Sequence, residues 1–212
     1  MYYRLNTNNE IIEMVPGYFP GFHADLQSKI DAASDEQKRI YAIPESELVE
    51  LAGEISGELF SESGIPRHIA SDGNIVFNPA AVKDDAVRQV IRACDDAIRP
   101  LLAEYPEGEI ASFPTKRALA YRWQGMTINE KTAALENKEF ALLINESAPL
   151  PSIDATDELA GKIIANAEKF EIHSGFCLCI KKTILQAIAD SSGDESDVAA
   201  ILDSMVFPDA GV

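Results

Sequence analysis

The spacing of hydrophobic positions changes character along the chain. In "YYRLNTNNEIIEMV" two largely apolar runs, Tyr2–Leu5 and Ile11–Val15, flank a polar Asn/Thr cluster, the pattern of a β-hairpin with a longer than minimal turn. "PGYFPGF" carries two Pro and two Gly and marks a loop. From Asp25 to Arg39 the spacing Leu26, Ile30, Ala33 predicts a short helix. In "IPESELVELAGEI" and the residues after it, Leu48, Leu51, Ile55 and Leu59 recur as one helical face. Glu45 and Glu47 follow Pro44, where carboxylates complement the dipole of a first turn.

"RHIASDGNIVFNP" sets Asp72-Gly73 between Ile69 and the run Ile75, Val76, Phe77, and Asp-Gly supplies the positive backbone angles of a tight hairpin turn. Asn78 and Pro79 then read as a helix cap and a first helical residue. The following helix shows Val87, Val90, Ile91, Cys94, Ile98 and Leu101 on one face, until Pro100 ends or kinks it. "FPTKRALAYRW" predicts another helix with Pro114 in its first turn, and Thr127 with Glu130 fits a capping box. Ile128, Leu135 and Leu142 recur every seven residues. "APLPSIDATDE" reads as a linker before a long helix from Thr156 to about Ile188, and "DSSGDESD" as a solvated stretch before a short amphipathic end at Val198–Val206.

These elements predict an α+β fold. A small hairpin-containing N-terminal module spans residues 1–80, a connecting helix 81–104, a mainly helical region 105–190 and an acidic C-terminal tail 191–212. A chain of 212 residues with 46% apolar and 25% charged residues can bury a sizeable core, which sets it apart from disordered or low-complexity chains.

Thirty-five acidic residues against eighteen basic ones give a net charge of −17, which opposes long-range attraction to nucleic-acid phosphates or anionic lipid. The expected partner is therefore another protein, with no nucleic acid and no membrane involved. The longest apolar runs, such as "ALLI" at Ala141–Ile144, fall far short of the ~20 residues that span a bilayer. The start "MYYRLNTNNE" has neither a basic leader nor an apolar core, so synthesis in the cytoplasm is expected, with three reduced cysteines.

"EIHSGFCLCIKK" packs His173, Cys177 and Cys179 into seven positions. In a helix, positions two apart diverge by ~200°, so only His173 and Cys177 would share a face. In a strand the two cysteines would share one, and "FCLCI" is β-prone. The longer window favours the helix: Ile163, Phe170, Cys177 and Ile184 form a seven-residue series, with Ile172, Phe176 and Ile180 as a second apolar flank. The cysteines are then expected to be core thiols. Two ligands are too few for a closed zinc site, so no metal and no cofactor are expected. Cys177 beside His173 lacks a third group to orient the base, and no Gly-x-Ser-x-Gly elbow or His-Glu-x-x-His pair occurs, so no catalytic residue is assigned.

Read in order, the segments resemble phage tail-fibre assembly proteins and related tail-fibre-associated proteins of prophages. "MYYRLNTNNEIIEM", "IPESELVELAGEISG" and "RHIASDGNIVFNP" look like the first half of that group. "LLAEYPEGEIASFPTKRALAYRW", "APLPSIDATDELAGKIIANAEKF" and "KKTILQAI" look like a helical region found near the end of many tail proteins. The resemblance implies a non-enzymatic protein that binds a tail-fibre subunit and helps it trimerise or mature, acting in the host cytoplasm. The alternative it implies is a structural tail component retained in the virion. Trp123, the only tryptophan, is then a candidate aromatic anchor for the partner, against the reading that places it in the core.

Overall fold

The computed structural model describes residues 1–27, 30–55, 57–103, 105, 107–136, 140–147 and 152–209. It has the expected α+β arrangement. The opening hairpin pairs β1 (Tyr2–Leu5) with β2 (Ile11–Met14) in antiparallel register, Tyr3 opposite Met14 and Leu5 opposite Ile11. Its polar turn is held by Asn6, whose Oδ1 accepts the backbone N–H groups of Asn8 at 2.9 Å and Glu10 at 3.0 Å. Tyr3 is fully buried, and its hydroxyl donates to the Gly53 carbonyl at 3.1 Å, so the ring carries no unpaired polar atom into the core.

Two expectations in this stretch are corrected. The helix predicted over Asp25–Arg39 is replaced by α1 (Phe22–Leu26), a 3₁₀ turn at Ile30–Ala32 and α2 (Asp35–Tyr41). Ser34 starts α2 afresh through a reciprocal capping box with Gln37. The helix predicted around Leu48, Leu51, Ile55 and Leu59 is a 3₁₀ turn at Glu45–Glu47 followed by β3 (Leu48–Glu50). β3 pairs with the open edge of β1 to give the order β2-β1-β3. Gly53 and Gly57 within that apolar pattern take φ of +100° and +108°, which no α-helix accommodates. Leu48, Leu51 and Ile55 are buried all the same, so the hydrophobic positions were legible while their period was not.

The second hairpin joins β4 (His68–Ser71) to β5 (Asn74–Phe77). Asp72 at φ +50° and Gly73 at φ +77° supply the two positive angles its turn needs. Asn78 caps α3 (Pro79–Ile98), its Oδ1 accepting the Ala80 N–H at 3.1 Å, and the helix gives way at Pro100 to a 3₁₀ turn over Arg99–Leu101. Among the described residues five helices follow: α4 (Glu107–Gln124), α5 (Ile128–Ala134), α6 (Ala141–Ser147), α7 (Ile153–Asp190) and α8 (Glu195–Asp203). Pro114 lies inside α4, seven residues from its start, and not in a first turn, so the Ile110 carbonyl lacks its usual helical donor. The linker expected at Ala148–Glu158 falls partly outside the described residues, and α7 already begins at Ile153.

The chain divides into two compact units, residues 1–91 with 183–205 and residues 92–182 with 206–212. The division falls within α3 and α7, so residues 183–205 group with the N-terminal elements, which a linear reading does not contain. Among the described residues of the first unit, Val15, Phe22, Ile40 and Leu48 belong to one apolar cluster and Tyr3, Ile11, Leu51 and Ile55 to another. In it the stretch expected to be solvated is exposed at most of its positions, with Gly193 as the buried exception. Gly193 is buried against Pro79, and the Lys83 ammonium donates to the carbonyls of Ala189 at 3.0 Å and Ser191 at 2.6 Å. A cation from α3 thereby satisfies acceptors at the C-terminal end of α7, where the helix dipole favours positive charge.

The second unit is built on Ala120, Trp123, Ala134, Phe140, Leu143, Ile144 and Ala160. The seven-residue series Ile128, Leu135, Leu142 does not form its seam: α5 stops at Ala134, and Ile128, first residue after the Thr127 cap, is 70% exposed. The capping box itself is present, Thr127 accepting from the Glu130 N–H while Glu130 accepts the Thr127 N–H at 2.7 Å.

Candidate functional site

The His173–Cys179 segment lies in the middle of α7. As the helical spacing predicts, His173 and Cys177 share a face, and it is turned toward α3. The His173 Nε2 donates to the Ala97 carbonyl at 3.0 Å, and Cys177 lies beside Cys94. Both thiols are buried, and burial pushes each above the ordinary thiol range, which favours the protonated, less nucleophilic form. Cys179 corrects the expectation of two core thiols: two residues on from Cys177, it is exposed. Among the described residues no group of three or more His, Cys, Asp and Glu side chains is placed to hold a metal ion.

Trp123 is fully buried in the second unit's core. Its ring meets Phe140 edge-on at a centroid distance of 5.7 Å, and the indole Nε1 donates to Asp157 Oδ1 at 2.7 Å. The Lys131 ammonium donates to the same oxygen at 2.6 Å and stands 5.8 Å from the indole centroid. The hydrogen bond from Lys131 holds the Asp157 carboxyl below the usual carboxylate range, against the opposing pull of desolvation and with a smaller contribution from the indole. This Trp-Lys-Asp network draws on α4, α5 and α7. No spacing links Asp157 to Trp123 in the sequence, so the network was not legible there. An anchor role for Trp123 would require this core to open.

A strip along α7 that carries apolar residues is exposed. Ile172 is 62% and Phe176 61% exposed, so the second apolar flank read from the spacing lies at the surface. Ala165, Glu168, Gly175, Cys179 and Lys182 are exposed on the same side of the helix. The edge of the strip is braced from α4: the Arg117 guanidinium grips both oxygens of Glu171, and the Tyr121 hydroxyl donates to Glu168 Oε1 at 3.3 Å. In the first unit, Phe60, Val76 and Phe77 are the exposed apolar side chains around the second hairpin. Exposed aromatic and aliphatic groups on so acidic a chain fit contact with other protein surfaces.

His68 stands apart. Its ring stacks on Phe77 at 5.0 Å, yet Nδ1 is buried and lacks a hydrogen-bond partner among the described residues. Burial, with the nearby Arg67 charge, lowers its pKa below the ordinary 6.5, while Glu195 acts weakly the other way. The fold therefore favours the neutral ring. Its contribution to stability is fully present above pH 6.5 and is lost as the pH falls from there through the depressed value, with a slope of at most about 1.4 kcal/mol per pH unit. Melting temperature should accordingly drop between pH 6.5 and 5.5, and His68→Phe should remove most of that drop. An equal drop in the variant would assign the pH dependence elsewhere.

No protein-family model matches the chain, and neither the curated proteins nor the solved structures include a significant match. No helix among the described residues is long and apolar enough to cross a membrane.

Proposed function

We propose that this protein is a non-enzymatic accessory of phage or prophage tail-fibre assembly that binds a fibre subunit and keeps it soluble until it trimerises. The observation that carries this reading is large apolar side chains at the surface of a chain with net charge −17. A fibre subunit made alone exposes surface that its trimer would bury and is prone to aggregate. A strongly acidic helper can cover such surface and stay dispersed through its own charge. The order of segments that resembles tail-fibre assembly proteins supports the same reading. The contact is assigned to the side chains around the second hairpin, Phe60, Val76 and Phe77, because the aromatic candidate read from the sequence, Trp123, is buried.

Co-expression with a tail-fibre gene from the same genome should move the fibre from the insoluble to the soluble fraction and allow the two chains to be purified together. A fibre equally soluble alone, with no complex formed, would overturn the proposal. Mass spectrometry of purified particles then distinguishes a helper, absent from the virion, from a structural component present in proportion to the fibre.

A further inference from the structure

The α7 strip is not a generic apolar face. Ile172, Gly175, Phe176 and Cys179 follow one another along one side of the helix, all exposed, with Ala165 and Glu168 before them and Lys182 after. Gly175 lies in the interior of a 38-residue helix, where glycine opposes helix formation, and a Cβ there would meet nothing within 4 Å. Packing within the chain therefore does not require a glycine at 175. The pattern is nearly self-complementary about a point between Gly175 and Phe176. Turned end for end about that point, the strip sets the two Gly175 positions side by side on one edge, the two Phe176 rings together on the other, and each Ile172 against the other Cys179 along the middle. Glu168 of one helix and Lys182 of the other come to the same edge, so opposite charges meet on both sides of the dyad.

We infer that this strip docks a second copy of the chain, the two α7 helices packing antiparallel about a twofold axis, with the paired Gly175 positions letting the two backbones approach. A two-helix contact from Glu168 to Lys182 runs about 21 Å at 1.5 Å per residue. It forms a small isologous interface at the weak end of specific association, so the dimer is reversible, with a dissociation constant on the order of micromolar. The charge pairing favours a second copy over other occupants. The inference goes beyond the fibre-binding reading and does not depend on it, since it uses none of the residues around the second hairpin.

Sedimentation velocity of the full chain alone, from about 1 to 200 μM, tests it. The wild type should shift from monomer to dimer across that range. Gly175→Gln puts a helix-forming side chain, which meets nothing in its own chain, where the two helices approach, so it should fold at least as well by thermal melt yet weaken dimerisation at least ~10-fold. Glu168→Lys and Lys182→Glu should each weaken it, and the double exchange should restore it. A wild type that stays monomeric throughout would overturn the inference, as would a Gly175→Gln dimer of undiminished affinity. Variants that leave the chain monomeric and lose only binding to a co-expressed fibre would likewise overturn it and assign the strip to the fibre.

Discussion

Trp123→Ala should lower stability by about 3–5 kcal/mol, the range for removing a buried large aromatic side chain. For a chain of this size that corresponds to a fall in melting temperature of roughly 6–20 °C. The effect has two sources. The indole fills the centre of the second unit's cluster against Phe140, and small residues such as Ala120 and Ala160 cannot close the void. Its N–H also donates to Asp157, so truncation removes a donor from a carboxylate that Lys131 must then hold alone. Trp123→Phe separates the two, keeping most of the volume while removing the N–H, and should cost about 1–2 kcal/mol. Circular dichroism is the readout, because the substitution removes the only tryptophan. If Trp123→Ala leaves the melt within a degree or two and abolishes fibre binding, the indole is an anchor and not a core residue.

Gly193→Ala is the second large effect, expected at about 2–4 kcal/mol. The residue sits at φ +86°, where a side chain is strained, and an added Cβ would lie 2.6 Å from Pro79 Cβ and 3.1 Å from the Pro79 carbonyl oxygen. Pro79 opens α3 and its ring is rigid, so relief must come from residues 191–205 moving away. Amide exchange should therefore accelerate first in α8, whose Val198 is buried, before any global unfolding. Gly161→Ala is the control: nothing lies within 4 Å of its added Cβ, so gaining helix propensity should make it neutral or slightly stabilising. Equal effects of the two substitutions would show that the Pro79 contact does not hold the C-terminal segment.

These two sites also show where the sequence could be read and where it could not. Elements fixed by local chemistry were legible: the Asn-rich and Asp-Gly turns, Asn78 and Pro79 at the start of α3, the Thr127 capping box, and the long helix that became α7. Features fixed by partners distant in the chain were not. β3 exists because β1 offers an open edge, which its helix-like leucine spacing conceals. Gly193 reads as a solvated turn until Pro79 is placed against it. The same limit applied to function. The spacing shows that Cys177 and Cys179 diverge, yet both are expected as core thiols and Cys179 is exposed; Ile172 and Phe176 read as an apolar flank that the structure leaves exposed, because periodicity reports an apolar face without saying what covers it. Trp123 reads either as an anchor or as a core residue, and its burial agrees with the core reading, while Asp157 and Lys131, which hold it there, could not be read from the sequence.

The proposed role as a tail-fibre accessory is tested most directly by the mass of what elutes when this protein and a fibre subunit from the same genome are produced together and separated by size exclusion with light scattering. One species whose mass contains both chains is expected, at a fibre concentration where the subunit alone is lost to aggregate. Two separate peaks, with the fibre eluting as a soluble trimer whether or not this protein is present, would contradict it.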